Sequence, residues 1–183
     1  MKKILFAIII AVVGGLSVMC TSAQEKEIAI VAHRGFWNCD AAGSAKNSIA
    51  ALAQAQELGV WGSEFDVNLS EDGVLLVFHD GSVDGKRIEK NPASAFADHR
   101  LKNGERIPVI DEYLEQAKKH PETMLVYELK KHSCDSVETK AVDASIAHLP
   151  AHGLFDPQHA CEEVPLRNTS MCSILKKMQI LMN

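Results

Sequence analysis

The sequence lacks an excess of basic residues. Its 183 residues contain 19 Lys and Arg against 24 Asp and Glu, which gives a formal net charge of −5 at pH 7. Proteins that bind nucleic acids depend on clustered Lys and Arg to neutralise phosphates. The acidic composition therefore argues against a nucleic-acid partner, and the surplus of carboxylates is compatible with a cation site.

A long apolar run is also missing. The run near the amino terminus covers residues 4–13, whereas a transmembrane helix needs about 20 apolar residues. Two lysines precede this run and small or polar residues follow it through Ala23, which is the pattern of a secretory signal peptide. We expect removal of residues 1–23, no stable membrane span afterwards, and an exported protein, periplasmic or secreted. The alternative, a membrane-anchored lipoprotein acylated at Cys20, ranks second because Met19 is bulky where a small residue is expected.

The cysteines form no recognisable pattern. Four of the five follow residue 23, namely Cys39, Cys134, Cys161 and Cys172. Their spacing matches neither a zinc site nor a compact disulfide framework. An oxidising compartment permits disulfides, and the sequence leaves their pairing open.

What the chain does contain is an alternation of short apolar runs and helical patterns. The apolar runs predict β-strands over Ile28–His33, Val60–Val67, Val74–His79 and Met124–Lys130. The patterns between them predict helices from Asn47 or Ser48 to about Leu58, from a cap at Asp111 to about His120, and from Val137 to Leu149, before Pro150. The polar segment 80–106 is too long for a tight connection, which indicates an insertion or a functional loop.

This alternation favours an α/β fold. Strands that are apolar on both faces belong to a parallel sheet covered by helices. In such folds the chemistry gathers at the carboxyl ends of the strands. The side chains at or near these ends are His33, Arg34, Glu64, Asp66, His79, Glu128 and Lys130.

These residue types together suit the cleavage of a phosphodiester. Carboxylate oxygens prefer Ca²⁺ or Mg²⁺, which polarise a phosphoryl oxygen and lower the pKa of an attacking hydroxyl. A guanidinium matches phosphate oxygens, and Lys130 is a second cation for the phosphate. Two histidines supply a base and an acid near neutral pH. Each residue alone has an ordinary structural interpretation, so the prediction depends on their occurring together at strand ends.

The segments AHRGFWN, GSEFDVNLSEDGVLLVFHD and NGERIPVIDEYL resemble the glycerophosphodiester phosphodiesterase family over about residues 28–130. The resemblance implies a TIM barrel that hydrolyses glycerophosphodiesters, small-molecule substrates, to glycerol 3-phosphate and an alcohol. It implies that the substrate's glycerol hydroxyl attacks phosphorus, and it leaves the order of the two histidines as acid and base open. The implied roles are catalysis by His33 and His79, phosphate binding by Arg34, and a divalent cation, Ca²⁺ or Mg²⁺, on Glu64, Asp66 and Glu128.

The sequence departs from this family after the first strand. The family usually has Glu-Asn-Thr there, and that Glu also reaches the metal, whereas this chain has Lys46-Asn47-Ser48. Asn47 is the nearest oxygen donor. It is either a neutral metal ligand of lower affinity or a cap for the following helix.

The chain is also short for the fold. A (β/α)₈ barrel takes about 250 residues, whereas this chain has 183. We predict a signal peptide over 1–23, a partial TIM-type barrel over 24–160 with about the first half represented, and an irregular tail over 161–183 with a helix over 173–182. Such a half barrel leaves strand edges unpaired. The alternatives to a glycerophosphodiesterase are an inactive barrel remnant that binds a phosphorylated ligand and a related phospholipase that acts on intact lipid.

Overall fold

The computed structural model describes residues 29–151 and 179–180. The strands are β1 (Val31–Ala32), β2 (Gly62–Leu69), β3 (Leu75–Val77), β4 (Ser82–Val83), β5 (Lys86–Arg87), β6 (Met124–Leu129) and β7 (Gln179–Ile180). The α-helices are α1 (Ile49–Leu58), α2 (Ile110–Ala117) and α3 (Asp135–Ala151), and two short 3₁₀ helices cover Ile88–Lys90 and Ala93–Phe96. None of the helices in these residues has the length and apolar character needed to cross a membrane.

Three strands form the parallel part of the sheet, in the order β1–β2–β6. All residues of the central strand β2 are buried. The register pairs Ser63 with Leu125 and Asp66 with Glu128 across β2 and β6. Helices separate these strands along the chain, so the predicted α/β arrangement with a parallel sheet is confirmed for them.

The third predicted strand runs in the opposite direction from the one expected. β3 pairs antiparallel with β2, with Val67 opposite Val77. Residues 70–74 connect the two strands, and Gly73 in this turn has a φ of +85°. A parallel crossover needs a dozen or more residues, so a connection this short permits only a hairpin. The assignment of residues 74–79 to the parallel sheet is therefore wrong, and the parallel strands described number three rather than four.

Helix α1 confirms the predicted element closely. The Ser48 hydroxyl caps its start by accepting a hydrogen bond from the Ala51 N–H at 2.9 Å. Gly59 ends the helix in a left-handed conformation with a φ of +67°, which glycine adopts without a side-chain clash. The helix cap is thus Ser48, and the cap role considered for Asn47 is wrong.

The other two helices differ from prediction at their ends. The N-cap of α2 is Val109 rather than Asp111, because the Glu112 carboxylate three residues later accepts the Val109 N–H. This helix ends at Ala117 instead of His120. Helix α3 continues through Pro150 to Ala151, so the predicted stop before the proline is too early by an amount common at helix ends.

The main core lies between the sheet and the helices. Phe65 of β2 stacks on Tyr113 of α2 with ring centroids 4.6 Å apart and meets Tyr127 of β6 edge-on at 5.3 Å. The segment 80–106 is not irregular throughout, since it contains the β4–β5 hairpin and both 3₁₀ helices. Three of its apolar residues form a second, smaller core with Leu76 of β3 and with Ile107: Val83, Ile88 and Phe96.

The carboxyl-terminal segment supplies β7, which pairs antiparallel with β6 through Leu125 and Ile180. The helix predicted over 173–182 is therefore wrong at the two residues that the structure describes. A strand at this position satisfies backbone groups at the edge of β6, which a helix leaves unpaired. The rest of that predicted helix, the signal peptide and the boundaries at residues 23 and 160 lie outside the described residues.

Candidate active site

Three carboxylates meet on one face of the sheet, two within β2 and one near the carboxyl end of β6. Glu64 and Asp66 are two residues apart on β2 and therefore share one face of the sheet. Glu128 lies beside Asp66 because the parallel register pairs these two residues. One oxygen atom from each of the three residues lies within 4.8 Å of the others. The structure thus brings together the three predicted metal ligands, which we call the carboxylate cluster.

Two cationic side chains border the carboxylate cluster. Lys130 Nζ lies 2.7 Å from Glu128 Oε1 and 3.1 Å from Asp66 Oδ1. Burial pulls the pKa of Lys130 down, but the bonds to Glu128 and Asp66 outweigh burial and leave the pKa above its usual value. Arg34 Nε lies 3.4 Å from Asp66 Oδ2. Both predicted phosphate-binding residues are therefore next to the predicted metal ligands.

The backbone of Arg34 also takes part in the site. Its N–H donates to Glu64 Oε2 at 2.9 Å. Arg34 has a φ of +63°, a left-handed conformation that is uncommon for residues other than glycine. The next residue, Gly35, packs so closely on α1 that a Cβ atom there would come within 2.7 Å of Ala51. The turn after β1 is therefore held tightly in the conformation that aims Arg34 at the cluster.

Asn47 contacts the cluster through hydrogen bonds. Its Nδ2 donates to Asp66 Oδ2 at 2.9 Å, and its Oδ1 accepts the Asp66 N–H at 3.3 Å. Its own N–H donates to the Arg34 carbonyl at 3.1 Å. Asn47 thus links the turn after β1 to β2 and orients the Asp66 carboxylate, a role that the sequence interpretation missed.

Lys46 occupies the position at which the resemblance implies a ligand glutamate. Its side chain is exposed and lies over Trp37, with Nζ 4.6 Å from the ring centroid. This contact directs the Lys46 ammonium toward an aromatic ring, a favourable cation–π arrangement. Within the part of the chain that the structure describes, the acidic group that could hold a cation is then the cluster of three carboxylates.

Glu64 is the most perturbed carboxylate of the cluster. Burial first, and then repulsion from Asp66, raise the pKa of Glu64 from 4.5 to about 7. Its Oε1 is buried and has no hydrogen-bond partner among the described residues. A buried carboxylate oxygen without a donor is costly, and a bound cation would satisfy it. The donor set consists of three carboxylates, which are hard oxygen ligands, and one of their oxygens is buried without a hydrogen-bond donor. Such a set fits Ca²⁺ or Mg²⁺.

The two predicted catalytic histidines follow β1 and β3, which both pair with the edge of β2 opposite β6. His33 follows β1, and its Nε2 is 3.8 Å from Glu64 Oε2 while 70% of the side chain is exposed. His79 follows β3 and comes back toward the cluster because the hairpin returns, with the Phe78 N–H donating to the Asp66 carbonyl at 3.0 Å. Its Nδ1 lies 2.6 Å from Asp80 Oδ1. This contact engages Nδ1 of the ring and not Nε2.

Comparisons with known proteins identify the family to which the chain is similar. The chain matches the model of the glycerophosphoryl diester phosphodiesterase family over residues 33–153. It is 36% identical over 98 residues to a glycerophosphodiester phosphodiesterase of Caldanaerobacter subterraneus subsp. tengcongensis, in an alignment that covers 47% of this chain and 39% of that relative.

Solved structures of similar proteins show the same fold. A glycerophosphodiester phosphodiesterase from Parabacteroides distasonis is 40% identical with a TM-score of 0.65, over 68% of this chain and 51% of that one. A phosphodiesterase from Oleispira antarctica in complex with the product sn-glycerol-3-phosphate is 28% identical with a TM-score of 0.56, over 68% of this chain and 53% of that one. The chain thus spans about half the length of these structures, and its sheet and helices form part of a TIM-type barrel, as predicted.

Proposed function

Because the chain belongs to the glycerophosphoryl diester phosphodiesterase family, we propose that it is a metal-dependent hydrolase of glycerophosphodiesters. The products are glycerol 3-phosphate and an alcohol, and the partner is a small-molecule substrate. The related phosphodiesterase from Oleispira antarctica, solved with sn-glycerol-3-phosphate, supports this substrate class. Ca²⁺ or Mg²⁺ is the proposed cofactor.

The observation that carries the proposal is the cluster of Glu64, Asp66 and Glu128, whose oxygens come within 4.8 Å of one another. Lys130 and Arg34 stand beside the cluster. Carboxylates alone commonly form solvated surfaces, but here Asp66 is almost fully buried and Glu64 has an unpartnered buried oxygen. This combination of buried anionic oxygens and adjacent cations supports a site for a cation together with a phosphate.

The residues divide the proposed reaction among them. When bound, a divalent cation polarises a phosphoryl oxygen and lowers the pKa of the attacking hydroxyl. The Arg34 guanidinium and the Lys130 ammonium bind phosphate oxygens. His79 exchanges a proton through Nε2 while Asp80 holds Nδ1, and His33 exchanges the other proton from its exposed position.

The test is hydrolysis of glycerophosphocholine by the purified full chain, measured as choline release. We expect turnover with Mg²⁺ or Ca²⁺, loss of turnover in EDTA, and recovery when the cation is added back. Unchanged turnover in EDTA would contradict metal dependence. A folded protein that binds the cation but releases no choline would favour the inactive remnant.

The preferred substrate distinguishes a phospholipase from a glycerophosphodiesterase. Phosphatidylinositol or sphingomyelin vesicles replace glycerophosphocholine in the same assay. Faster cleavage of the vesicle lipid than of the water-soluble diester would overturn the proposed substrate class.

We further propose that the chain is exported, since residues 1–23 have the composition of a signal peptide. Mass spectrometry of the mature protein from its native host distinguishes the two routes. A mature chain that begins at Gln24 supports cleavage after Ala23, whereas a diacylated amino terminus at Cys20 supports the lipoprotein.

A further inference from the structure

A distant glutamate caps helix α1, whose first residue, Ile49, stands two positions after Asn47. Glu105 Oε2 accepts the Ile49 N–H at 2.9 Å, and Oε1 accepts the Ala50 N–H at 3.2 Å. The Ser48 hydroxyl accepts the third, from Ala51. Two of the three amides at the start of α1 are therefore satisfied by a residue more than fifty positions later in the sequence, and its negative charge also suits the positive end of the helix.

Glu105 is itself fixed within a tight turn over residues 101–105. Asn103 Nδ2 donates to Glu105 Oε1 at 2.7 Å, and the Glu105 N–H donates back to Asn103 Oδ1 at 3.1 Å. The Leu101 N–H donates to the Glu105 carbonyl at 2.7 Å. These bonds limit the freedom of the carboxylate before it meets the helix.

The same turn supports the loop before α1 at a second point. Gly43 lies so close to Asn103 that a Cβ atom on the glycine would come within 2.7 Å of the Asn103 Cβ. Gly43 also has a φ of +58°. The turn over residues 101–105 therefore makes contact at two points, at Gly43 in the loop before α1 and at the first residues of α1.

The chain connects this turn directly to the carboxylate cluster. Asn47 stands two residues before Ile49, and it holds Asp66 by two hydrogen bonds and the Arg34 carbonyl by a third. Asn47 and Arg34 both have left-handed backbones, with φ values of +58° and +63°. Such conformations persist when surrounding contacts determine them, and Glu105 supplies two contacts next to Asn47.

We propose that Glu105 is a positioning residue of the metal site. Its carboxylate fixes the start of α1, and this holds the Asn47 amide against Asp66. The inference rests on the proposed function, because it takes the carboxylate cluster as the cation site. A glutamate that merely stabilised α1 would change the stability of the protein without changing its affinity for a cation.

The test compares Glu105→Gln with Glu112→Gln in the full chain. Both substitutions keep the side-chain shape and remove a carboxylate that accepts backbone N–H groups at a helix start, but α2, which Glu112 caps, carries no residue of the cluster. Isothermal titration gives the Mg²⁺ and Ca²⁺ affinities, and melting in EDTA gives the stability of the metal-free protein. We expect Glu105→Gln to weaken cation affinity about tenfold, at the low end for residues behind the ligands, and Glu112→Gln to leave it within about twofold.

A double-mutant cycle tests the route through Asn47. If Glu105 acts by holding Asn47, the double variant Glu105→Gln with Asn47→Gly binds the cation no more weakly than Asn47→Gly alone. Additive losses would show that Glu105 acts on the site by another route and would overturn the inference. Unchanged affinity in Glu105→Gln would overturn it too, while leaving the proposed function in place.

Two further outcomes are decisive. A folded wild-type chain that binds neither cation would overturn the proposed function and this inference with it. If Glu105→Gln does not fold, Asn103→Ala replaces it, because this change keeps the carboxylate but removes the 2.7 Å hydrogen bond that orients it. A several-fold loss of cation affinity in Asn103→Ala is then the expected result, and an unchanged affinity overturns the inference.

Discussion

Asn47 and Asp66 are joined by two hydrogen bonds, one from side chain to side chain and one from backbone to side chain. The Asp66 N–H is a donor only, so the atom of the Asn47 amide that faces it at 3.3 Å is the oxygen. The amide nitrogen must then point at Asp66 Oδ2, 2.9 Å away. The chemistry of the partners thus fixes the orientation of the amide, and Asn47 acts as a clamp on the carboxylate.

Removal of this clamp should weaken cation binding. Asn47→Gly deletes the amide, and glycine tolerates the φ of +58° at this position. We expect a loss of cation affinity of about 10- to 100-fold, as is usual for residues that orient metal ligands. Isothermal titration with Mg²⁺ measures it. The control is Asn91→Gly, which removes a hydrogen bond to the Arg87 carbonyl away from the cluster, and an equal loss in both variants would contradict the clamp.

The raised pKa of Glu64 predicts a pH-dependent stability. Its carboxyl has a pKa of about 7 in the folded protein against 4.5 for the free group, so the folded state binds more protons between these values. In the metal-free protein, ionisation of the buried Glu64 lowers the free energy of unfolding. This loss of stability is small below pH 4.5, grows as the pH rises, and is complete above pH 7. Glu64→Gln, which still accepts the Arg34 N–H, should therefore melt higher than wild type in EDTA at pH 8.

The comparison at two pH values separates this charge effect from packing. At pH 4 the wild-type Glu64 is largely protonated in both the folded and the unfolded protein, so the difference in melting temperature between variant and wild type should nearly vanish. At pH 8 the difference should be several degrees, since about 1 kcal/mol shifts the melting temperature by roughly 2–8 °C. An equal difference at both pH values would show that ionisation of Glu64 is not its cause.

The two histidines should be essential for turnover. His33→Ala and His79→Ala are each expected to lower kcat/KM by at least about 100-fold, the usual contribution of a general acid or base. His120→Ala is the matched control, because His120 also pairs with a nearby carboxylate, Glu122, at 3.1 Å but precedes the amino end of β6. Full activity in either of the first two variants would contradict the assigned roles.

Lys130 should weaken the binding of a divalent cation and strengthen the binding of the substrate. Its ammonium lies 2.7 Å from Glu128 Oε1 and repels a divalent cation in the same cluster. Lys130→Met should therefore raise Mg²⁺ affinity by about three- to tenfold, while KM for glycerophosphocholine rises because a phosphate contact is lost. Titration and steady-state kinetics measure the two effects. Lys118→Met, which removes an exposed pair with Glu115, should change neither, and a fall in Mg²⁺ affinity in Lys130→Met would contradict the prediction.

Much of the fold could be predicted from local patterns. Helix α1 was predicted within a residue because Ser48 and Gly59 mark its ends by their own chemistry. The shared face of Glu64 and Asp66 followed from the two-residue repeat of a strand. The direction of β3 was mistaken although the signal was present, since residues 70–74 are too few for a crossover.

Other features of the site could not be read from any local pattern. The two hydrogen bonds between Asn47 and Asp66 depend on where the turn after β1 lies against β2. The cap that Glu105 places on α1 joins groups 55 and 56 residues apart. The segment NGERIPVIDEYL, residues 103–114, resembles the family, but nothing in its letters indicates which helix Glu105 would meet.

The sequence by itself determined the residue types of the site and the elements that carry them, because strand alternation, caps and turns depend on neighbours a few positions away. Only the tertiary structure decided which of these residues meet. The parallel register sets Glu128 beside Asp66, the β2–β3 hairpin returns His79 toward the cluster, and burial shifts the pKa of Glu64. These contacts and the loss of water around them arise when distant segments pack, so no short stretch of sequence contains them.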